Sequence, residues 1–258
     1  MVWLAAIVAF PFGLALGSFM TVVAERVPAG ESVIRPRSRC PSCGAEIANR
    51  DNIPVLGWVR LRGRCRSCGS RISATYPILE LSTALLFSGA FLVYENVWVG
   101  VALAFLLMLM PAIGAIDIEH RIIPNRLMYP ALVAFPVYLT LAWLFGAPVD
   151  LARMLIGFAS FGGALFVVAF VSRGMGMGDV KLAALIGLVL GSLGLRYVGV
   201  AAGAAIVLGG VGAIIALILG RGRKAAIPFG PYLAAGAVIS TFWGAQIAGW
   251  YLRNLLGA

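Results

Sequence analysis

Charge is the scarcest property of this 258-residue chain. Only 12% of its residues are Asp, Glu, Lys or Arg, just ten residues are acidic, and histidine occurs once. Hydrophobic residues make up 61%. Soluble domains rarely exceed about half apolar content, so the composition excludes a soluble globular protein and points to an integral membrane protein. There is no internal repeat at solenoid length and no low-complexity tract, which excludes repeat and fibrous architectures. No basic residue precedes the first apolar run, and that run is longer than a signal-peptide core, so it is expected to remain as a helix rather than be cleaved away.

What is present is a series of long apolar runs. Spanning takes roughly 20 apolar residues per helix, and eight candidate spans are read at about 3–23, 77–95, 98–116, 127–146, 154–171, 180–194, 198–220 and 231–251. The sixth is short and contains glycine. The fold class expected is an all-α polytopic membrane protein of about eight transmembrane helices with a small loop domain at residues 26–76.

The net charge of +10 is distributed unevenly. Ten of the twenty basic residues lie from Arg26 to Arg71, in the one long polar loop. Arg121, Arg126, Arg173, Lys181, Arg221, Arg223 and Lys224 fall in loops that eight alternating spans place on the same side, leaving Arg153, Arg196 and Arg253 on the other. The positive-inside rule puts the long loop in the cytoplasm and both termini outside. The loop lacks the interleaved aromatics of a nucleic-acid platform, so no nucleic acid is expected, and its charge is read as a topology determinant in contact with anionic lipid.

Two aspartates stand where a membrane chain least favours them. Asp117 follows the apolar run Gly100 to Ile116, and Asp179 closes the stretch Gly174-Met175-Gly176-Met177-Gly178-Asp179. A carboxylate at bilayer depth is costly and marks a cavity with a function. The predicted topology sets both at the cytoplasmic boundary, at one depth, so that they can form a proton-sharing pair that activates water. The glycines imitate a dinucleotide fingerprint, but no strand precedes them and the register is wrong. A broken membrane helix lining a water-accessible cavity suits them better. A small-residue packing face with one capping Asp does not call for three alternate glycines.

The four cysteines read Cys40-Pro-Ser-Cys43-Gly and Cys65-Arg-Ser-Cys68-Gly, separated by 21 residues. Two knuckles of this form suit four thiolates around a structural zinc ion. Disulfides are not expected in a reducing compartment. Free or redox-active thiols would call for a thioredoxin-like setting, which is absent. A loop of about 50 residues buries little core and needs a metal staple.

The chain resembles the type IV prepilin peptidases, membrane-embedded aspartyl proteases. The motifs run in order: Gly17-Ser18-Phe19 through Glu25-Arg26-Val27-Pro28, Asp51-Asn52-Ile53-Pro54-Val55-Leu56-Gly57-Trp58, Arg62-Gly63-Arg64-Cys65-Arg66 and Tyr76-Pro77-Ile78-Leu79-Glu80. Asp117 with Ile123-Pro124 follows, then Gly174-Met175-Gly176-x-Gly178-Asp179-x-Lys181-Leu182, and Pro228-Phe229-Gly230-Pro231. Thr21 stands where the family often has Asn, and Asn125 where Asp is common. Glu119 is also near, but the aspartate seven residues before the proline is the better match for the catalytic acid.

The resemblance implies a three-part chain: 1–25, the first transmembrane helix; 26–76, the cytoplasmic four-cysteine zinc-binding loop; and 77–258, the transmembrane aspartyl protease domain. It implies a bacterial inner-membrane enzyme of type IV pilus or type II secretion systems. Asp117 and Asp179 would cut the short basic leader from a prepilin or pseudopilin, after a glycine. It also implies N-methylation of the new N-terminal residue by S-adenosylmethionine, with Glu25, Arg26, Asp51, Asn52 and Glu80 as contributors; singly, each is equally well read as a capping, snorkelling or loop residue. Two competing readings are weaker. A proton-coupled transporter would want paired half-sequences and midplane sites, and a presenilin-like protease would carry a Pro-Ala-Leu segment, which is missing. His120, beside Glu119 and Arg121, is read as an ordinary interfacial side chain.

Overall fold

The computed structural model describes residues 2–172, 175–220 and 228–255. Gly174 of the glycine stretch, and Arg173, Arg221, Arg223 and Lys224 of the charge asymmetry, lie outside the described residues. The described chain is helical, with isolated bridges but no strands: α1 (Val2–Arg26), α2 (Leu56–Arg60), α3 (Thr75–Val93), α4 (Val97–His120), α5 (Asn125–Leu144), α6 (Leu151–Ser172), α7 (Met177–Gly191), α8 (Leu195–Ile218) and α9 (Gly230–Leu255). The eight longer helices fall on the eight expected spans. Six of them, α1, α3, α4, α5, α6 and α8, are long and apolar enough to cross a membrane. α7 has 15 residues, roughly 22 Å at 1.5 Å per residue, short of a bilayer core of about 30 Å. It starts at Met177, three residues before the expected span.

α4 is the hub. It packs against α1, α3, α5, α7 and α9, and Leu103, Leu106, Leu107, Met110, Ile113 and Ile116 are buried along it. Its ends are fixed locally. Asn96 Oδ1 accepts the Trp98 and Val99 amides at 3.1 and 3.2 Å, satisfying two orphan donors. At the other end Arg121 takes left-handed backbone angles and returns its N–H to the Asp117 carbonyl. α7 is nearly as enclosed: Val180 and every residue from Leu182 to Gly191 are buried. The outer helices instead turn apolar side chains outward, as a lipid solvent demands; Ile206, Val207, Ile214 and Ile218 of α8 are all exposed.

Close helix pairs rest on missing side chains. Where α6 meets α7, a Cβ on Gly157 would strike the Gly187 carbonyl and a Cβ on Gly187 the Gly157 carbonyl. Backbones this close are the usual membrane solution, because apolar burial gives little drive between helices already in lipid.

The segment between α1 and α3 forms two matching knuckles. In each, the first cysteine amide bonds the carbonyl five residues on (Cys40 to Ala45 at 2.9 Å, Cys65 to Ser70 at 2.8 Å), and the glycine after the second cysteine bonds back to the first. Gly44 and Gly69 have φ of 70° and 71°, the left-handed region that glycine enters without penalty. The loop, the start of α3 and the facing ends of α1, α4, α5, α7 and α9 share one end of the bundle. Tyr76 donates to Glu25, Lys181 to Asn125, Arg126 to the Glu31 carbonyl and Gly230 to Asp117.

Candidate active site

Asp117 lies in the last turn of α4 and is 5% exposed, whereas Glu119 and His120 beyond it are exposed. Helical geometry makes this separation for Glu119, since two further residues turn its side chain by about 200° to the other face; His120 is the last residue of α4, where the helix leaves the core. Asp117 Oδ2 accepts the Gly230 amide at 2.9 Å. Gly230 opens α9, so Asp117 caps that helix from another part of the chain and faces its positive end.

Asp179 occupies the third position of α7, after an N-cap at Gly176, to whose carbonyl its amide bonds at 3.1 Å. It is half-buried, and the Asp117 and Asp179 carboxyls lie within electrostatic reach of each other. Asp179 thus lies in the first turn of α7, and Asp117, although in the last turn of α4, bonds the first amide of α9, so each carboxyl faces the positive end of a helix.

Two contacts clasp the α4–α5 connection onto the start of α7. A Cβ on Gly178 would lie 2.8 Å from Ile123 Cβ, so the Ile-Pro segment after α4 rests on the residue just before Asp179. Gly178 and Gly176 do not adopt left-handed angles; Gly178 is required for close approach rather than for backbone freedom. Lys181 then donates to Asn125 Oδ1 at 2.7 Å and Tyr129 Oη at 3.0 Å, with its ammonium 4.5 Å from the Tyr129 ring centre. A separate cavity of about 290 Å³, lined by Tyr94, Glu95, Asn96, Pro148 and Tyr197 among others, lies at the opposite end of the bundle.

The four thiols converge as their spacing predicts. Their Sγ atoms all lie within 4.8 Å of one another, and Cys40 and Cys68 are 3.9 Å apart. Thiolates at 2.3 Å around one tetrahedral ion are about 3.8 Å apart, so the residues fit a four-thiolate metal site. Ser70 Oγ lies 3.6 Å from Cys40 Sγ and 3.1 Å from Cys68 Sγ. Its hydrogen bond holds the Cys40 thiol down at about 6 and the Cys68 thiol below its ordinary value. Against a lowering by the Ala45 backbone, the neighbouring thiols push the Cys43 thiol up to about 11, so the crowded cluster favours the thiolate at Cys40 and Cys68 and the thiol at Cys43.

The remaining sequence-selected residues gather near the α1–α3 exit. Glu25 accepts from Tyr76 Oη at 3.0 Å, and Arg26 donates to the Ser32 and Pro36 carbonyls. Glu80 is buried and accepts the Val55 amide at 2.6 Å. Asp51 makes a two-pronged pair with Arg66 at 2.6 and 2.7 Å, and that guanidinium holds its carboxyl below the usual range. Asn52 is exposed. Three partners were not visible beforehand: the Gly230 amide, the Lys181–Asn125 bond and the Asp51–Arg66 pair. The first had a readable signal, since glycine followed by Pro231 marks a helix start with a free amide.

Residues 12–94 match the Bacterial Peptidase A24 N-terminal domain, and residues 104–220 match the Type IV leader peptidase family. A relative from Bacillus subtilis, named prepilin leader peptidase/N-methyltransferase, is 34% identical over 260 residues, covering 96% of this chain and 98% of its own. Relatives of the same name from Aeromonas hydrophila and Pseudomonas aeruginosa are 33% and 32% identical; they cover 98% and 93% of this chain and 96% and 91% of theirs. No solved structure matches the chain. With its relatives aligned over nearly their whole length, this chain belongs to the type IV leader peptidase family.

Proposed function

We propose that the protein removes the short basic leader from prepilins or pseudopilins at the cytoplasmic face of the bacterial inner membrane, with Asp117 and Asp179 as the catalytic pair. The observation that carries this reading is that two carboxyls lie within electrostatic reach of each other, one in the last turn of α4 and bonded to the first amide of α9, the other in the first turn of α7. The relatives' names supply the substrate class. The loop and the carboxyl end of the bundle face the cytoplasm and both termini lie outside, in keeping with the basic loop. Residues 1–25, 26–76 and 77–258 act as first helix, metal-binding loop and protease domain.

In the mechanism, one carboxylate takes a proton from water as that water attacks the scissile carbonyl, while the other, protonated, donates a hydrogen bond to the carbonyl oxygen. The proton gained by the first then passes to the leaving amine. The pair titrates as a unit. Gly230 holds Asp117 in place, and the Ile123–Gly178 contact sets Asp179 opposite. Cys40, Cys43, Cys65 and Cys68 would hold zinc, whose four thiolate ligands leave no open position, so it serves as scaffold.

The same names support N-methylation of the new N-terminus with S-adenosylmethionine. The exposed Glu25 carboxylate, with Arg26, Asp51, Asn52 and Glu80 nearby at the α1–α3 exit, suits a cationic methyl donor in its chemistry. The group would supply an electrophilic methyl; these side chains would orient it and the amine. The test uses Asp117→Asn and Asp179→Asn, which keep side-chain size and, at 117, an acceptor for the Gly230 amide. Cleavage of a leader-bearing pilin is expected to fall by roughly 10²–10⁴-fold or more, while methylation of a pre-cleaved pilin persists. Near-normal cleavage by either variant sinks the dyad; label-free pilin from the wild type sinks the methylation.

A further inference from the structure

The short helix α2 stands outside the bundle, yet it is not turned toward water in the ordinary way. Leu56 and Val59 are 59% and 58% exposed, and Ile53, one turn earlier, is 40% exposed. Leu56 and Val59, three apart within α2, share one side of it, and Ile53 lies exposed in the turn that leads into the helix. The other side is held to the loop domain: Gly57 is buried against the Asp51 carbonyl, and Trp58 donates to the Ile72 carbonyl at 3.1 Å.

The depth of α2 is fixed by a buried carboxylate. Glu80 of α3 accepts the Val55 amide at 2.6 Å, and it lies five residues into α3, roughly 7–8 Å along the axis from Thr75. Val55 has φ 61° and ψ −50°, angles a β-branched residue rarely adopts. A strained backbone persists only where surrounding structure enforces it; here Glu80 does so. The start of α2 is thereby pinned level with the second turn of a spanning helix. At that level Ile78 of α3 is 63% exposed, part of the bundle's lipid-facing surface. Arg50, Arg60 and Arg62 flank the apolar triplet in sequence and are all exposed; Arg50 and Arg60 lie within electrostatic reach of Asp51, but none of the three forms a direct ion pair among the described residues.

We propose that α2 docks the metal-binding loop onto the lipid headgroup layer. Ile53, Leu56 and Val59 enter the acyl boundary, and Arg50, Arg60 and Arg62 take the phosphates of anionic lipids. An outward apolar triplet at interface depth with flanking arginines is the pattern of a monotopic anchor. A protein partner would need no such depth. Docked in this way, the loop is held over the end of the bundle that carries Asp117 and Asp179.

The test is hydrogen–deuterium exchange on the full chain in nanodiscs of phosphatidylcholine, alone or mixed with phosphatidylglycerol. The variants are Leu56→Glu with Val59→Glu, and separately Arg60→Gln with Arg62→Gln. All four side chains are exposed, so the loop should keep its fold, checked by bound zinc and by slow exchange of the Val55 amide. Amides 56–60 are expected to exchange roughly tenfold more slowly in the wild type than in the double Glu variant. The double Gln variant should lose the further slowing that phosphatidylglycerol gives. Equal exchange in wild type and double Glu variant overturns the proposal. So does slow exchange that appears only on adding a leader-bearing pilin, which would assign the surface to a protein.

Discussion

Replacing Gly230 by Ala tests the site at its tightest point. The new Cβ would lie 2.7 Å from Asp117 Oδ2 and 3.1 Å from its Cγ. Ordinary contact begins at about 3.4 Å, so the carboxyl has to retreat by roughly 0.7 Å. Gly230 lacks a left-handed φ, so alanine itself is tolerated by the backbone, and the strain falls on Asp117. The 2.9 Å bond from the Gly230 amide is lost or lengthened, a loss of about 1.5–3 kcal/mol for a charged acceptor. A shift approaching 1 Å in a catalytic group lowers rate by about 10²-fold, so kcat should fall by roughly 10–100-fold with KM little changed. Gly163→Ala is the control: no atom lies within 4 Å of its Cβ, and alanine in a helix is favoured by about 1 kcal/mol, so activity should hold. The assay is cleavage of a leader-bearing pilin in proteoliposomes, followed by mass spectrometry, alongside thermal unfolding. Wild-type kcat in a folded Gly230→Ala protein would refute the assignment of Asp117.

Two further outcomes concern the loop. Cys40→Ser or Cys68→Ser should lower bound zinc well below one per chain and open the arginines of residues 35–71 to trypsin, since such sites contribute about 10–16 kcal/mol of folding free energy; the helical signal of the bundle should persist. A variant that holds a full equivalent of zinc contradicts the four-thiolate site. Arg66→Gln should speed zinc release to a chelator. Arg66 holds the Asp51 carboxyl below its ordinary value of 3.8, so the pair contributes fully above that value and is lost only as pH falls through the lowered one. The ratio of release rates, variant over wild type, should therefore be the same at pH 7 and pH 5.5; a ratio that collapses by pH 5.5 shows that Asp51 titrates elsewhere.

The helices were legible because lipid imposes a length and a composition on them, and runs such as Gly100 to Ile116 admit no other reading. The thiol cluster was legible because two cysteines three apart, followed by a glycine, nearly determine a knuckle. The spacing to Pro124 singled out Asp117, and the structure buries Asp117 while leaving Glu119 exposed; which of them acts is left to the variants above. What escaped were partners joined across long intervals. The bond between Gly230 and Asp117 links residues 113 apart; Gly230-Pro231 announces a free amide, but no local pattern names its acceptor. α2 escaped for the opposite reason: five residues are too few for a period to show. α7 began earlier than expected because an apolar count starts at Val180, while the helix nucleates on the Gly176 N-cap before it.

The interlocked glycines of α6 and α7 have a mechanical consequence. With backbone touching backbone at Gly157 and Gly187, neither helix can slide without the other, so Asp179 travels with α6 and α7 as one block. Asp117 sits in α4, which packs against α1, α3, α5, α7 and α9. The distance between the two acids is therefore set where the start of α7 meets α4 and α5, not within either helix. At that junction the Ile123–Gly178 contact limits how closely the start of α7 can approach the chain leaving α4, so a larger residue at 178 would push the two helix ends apart.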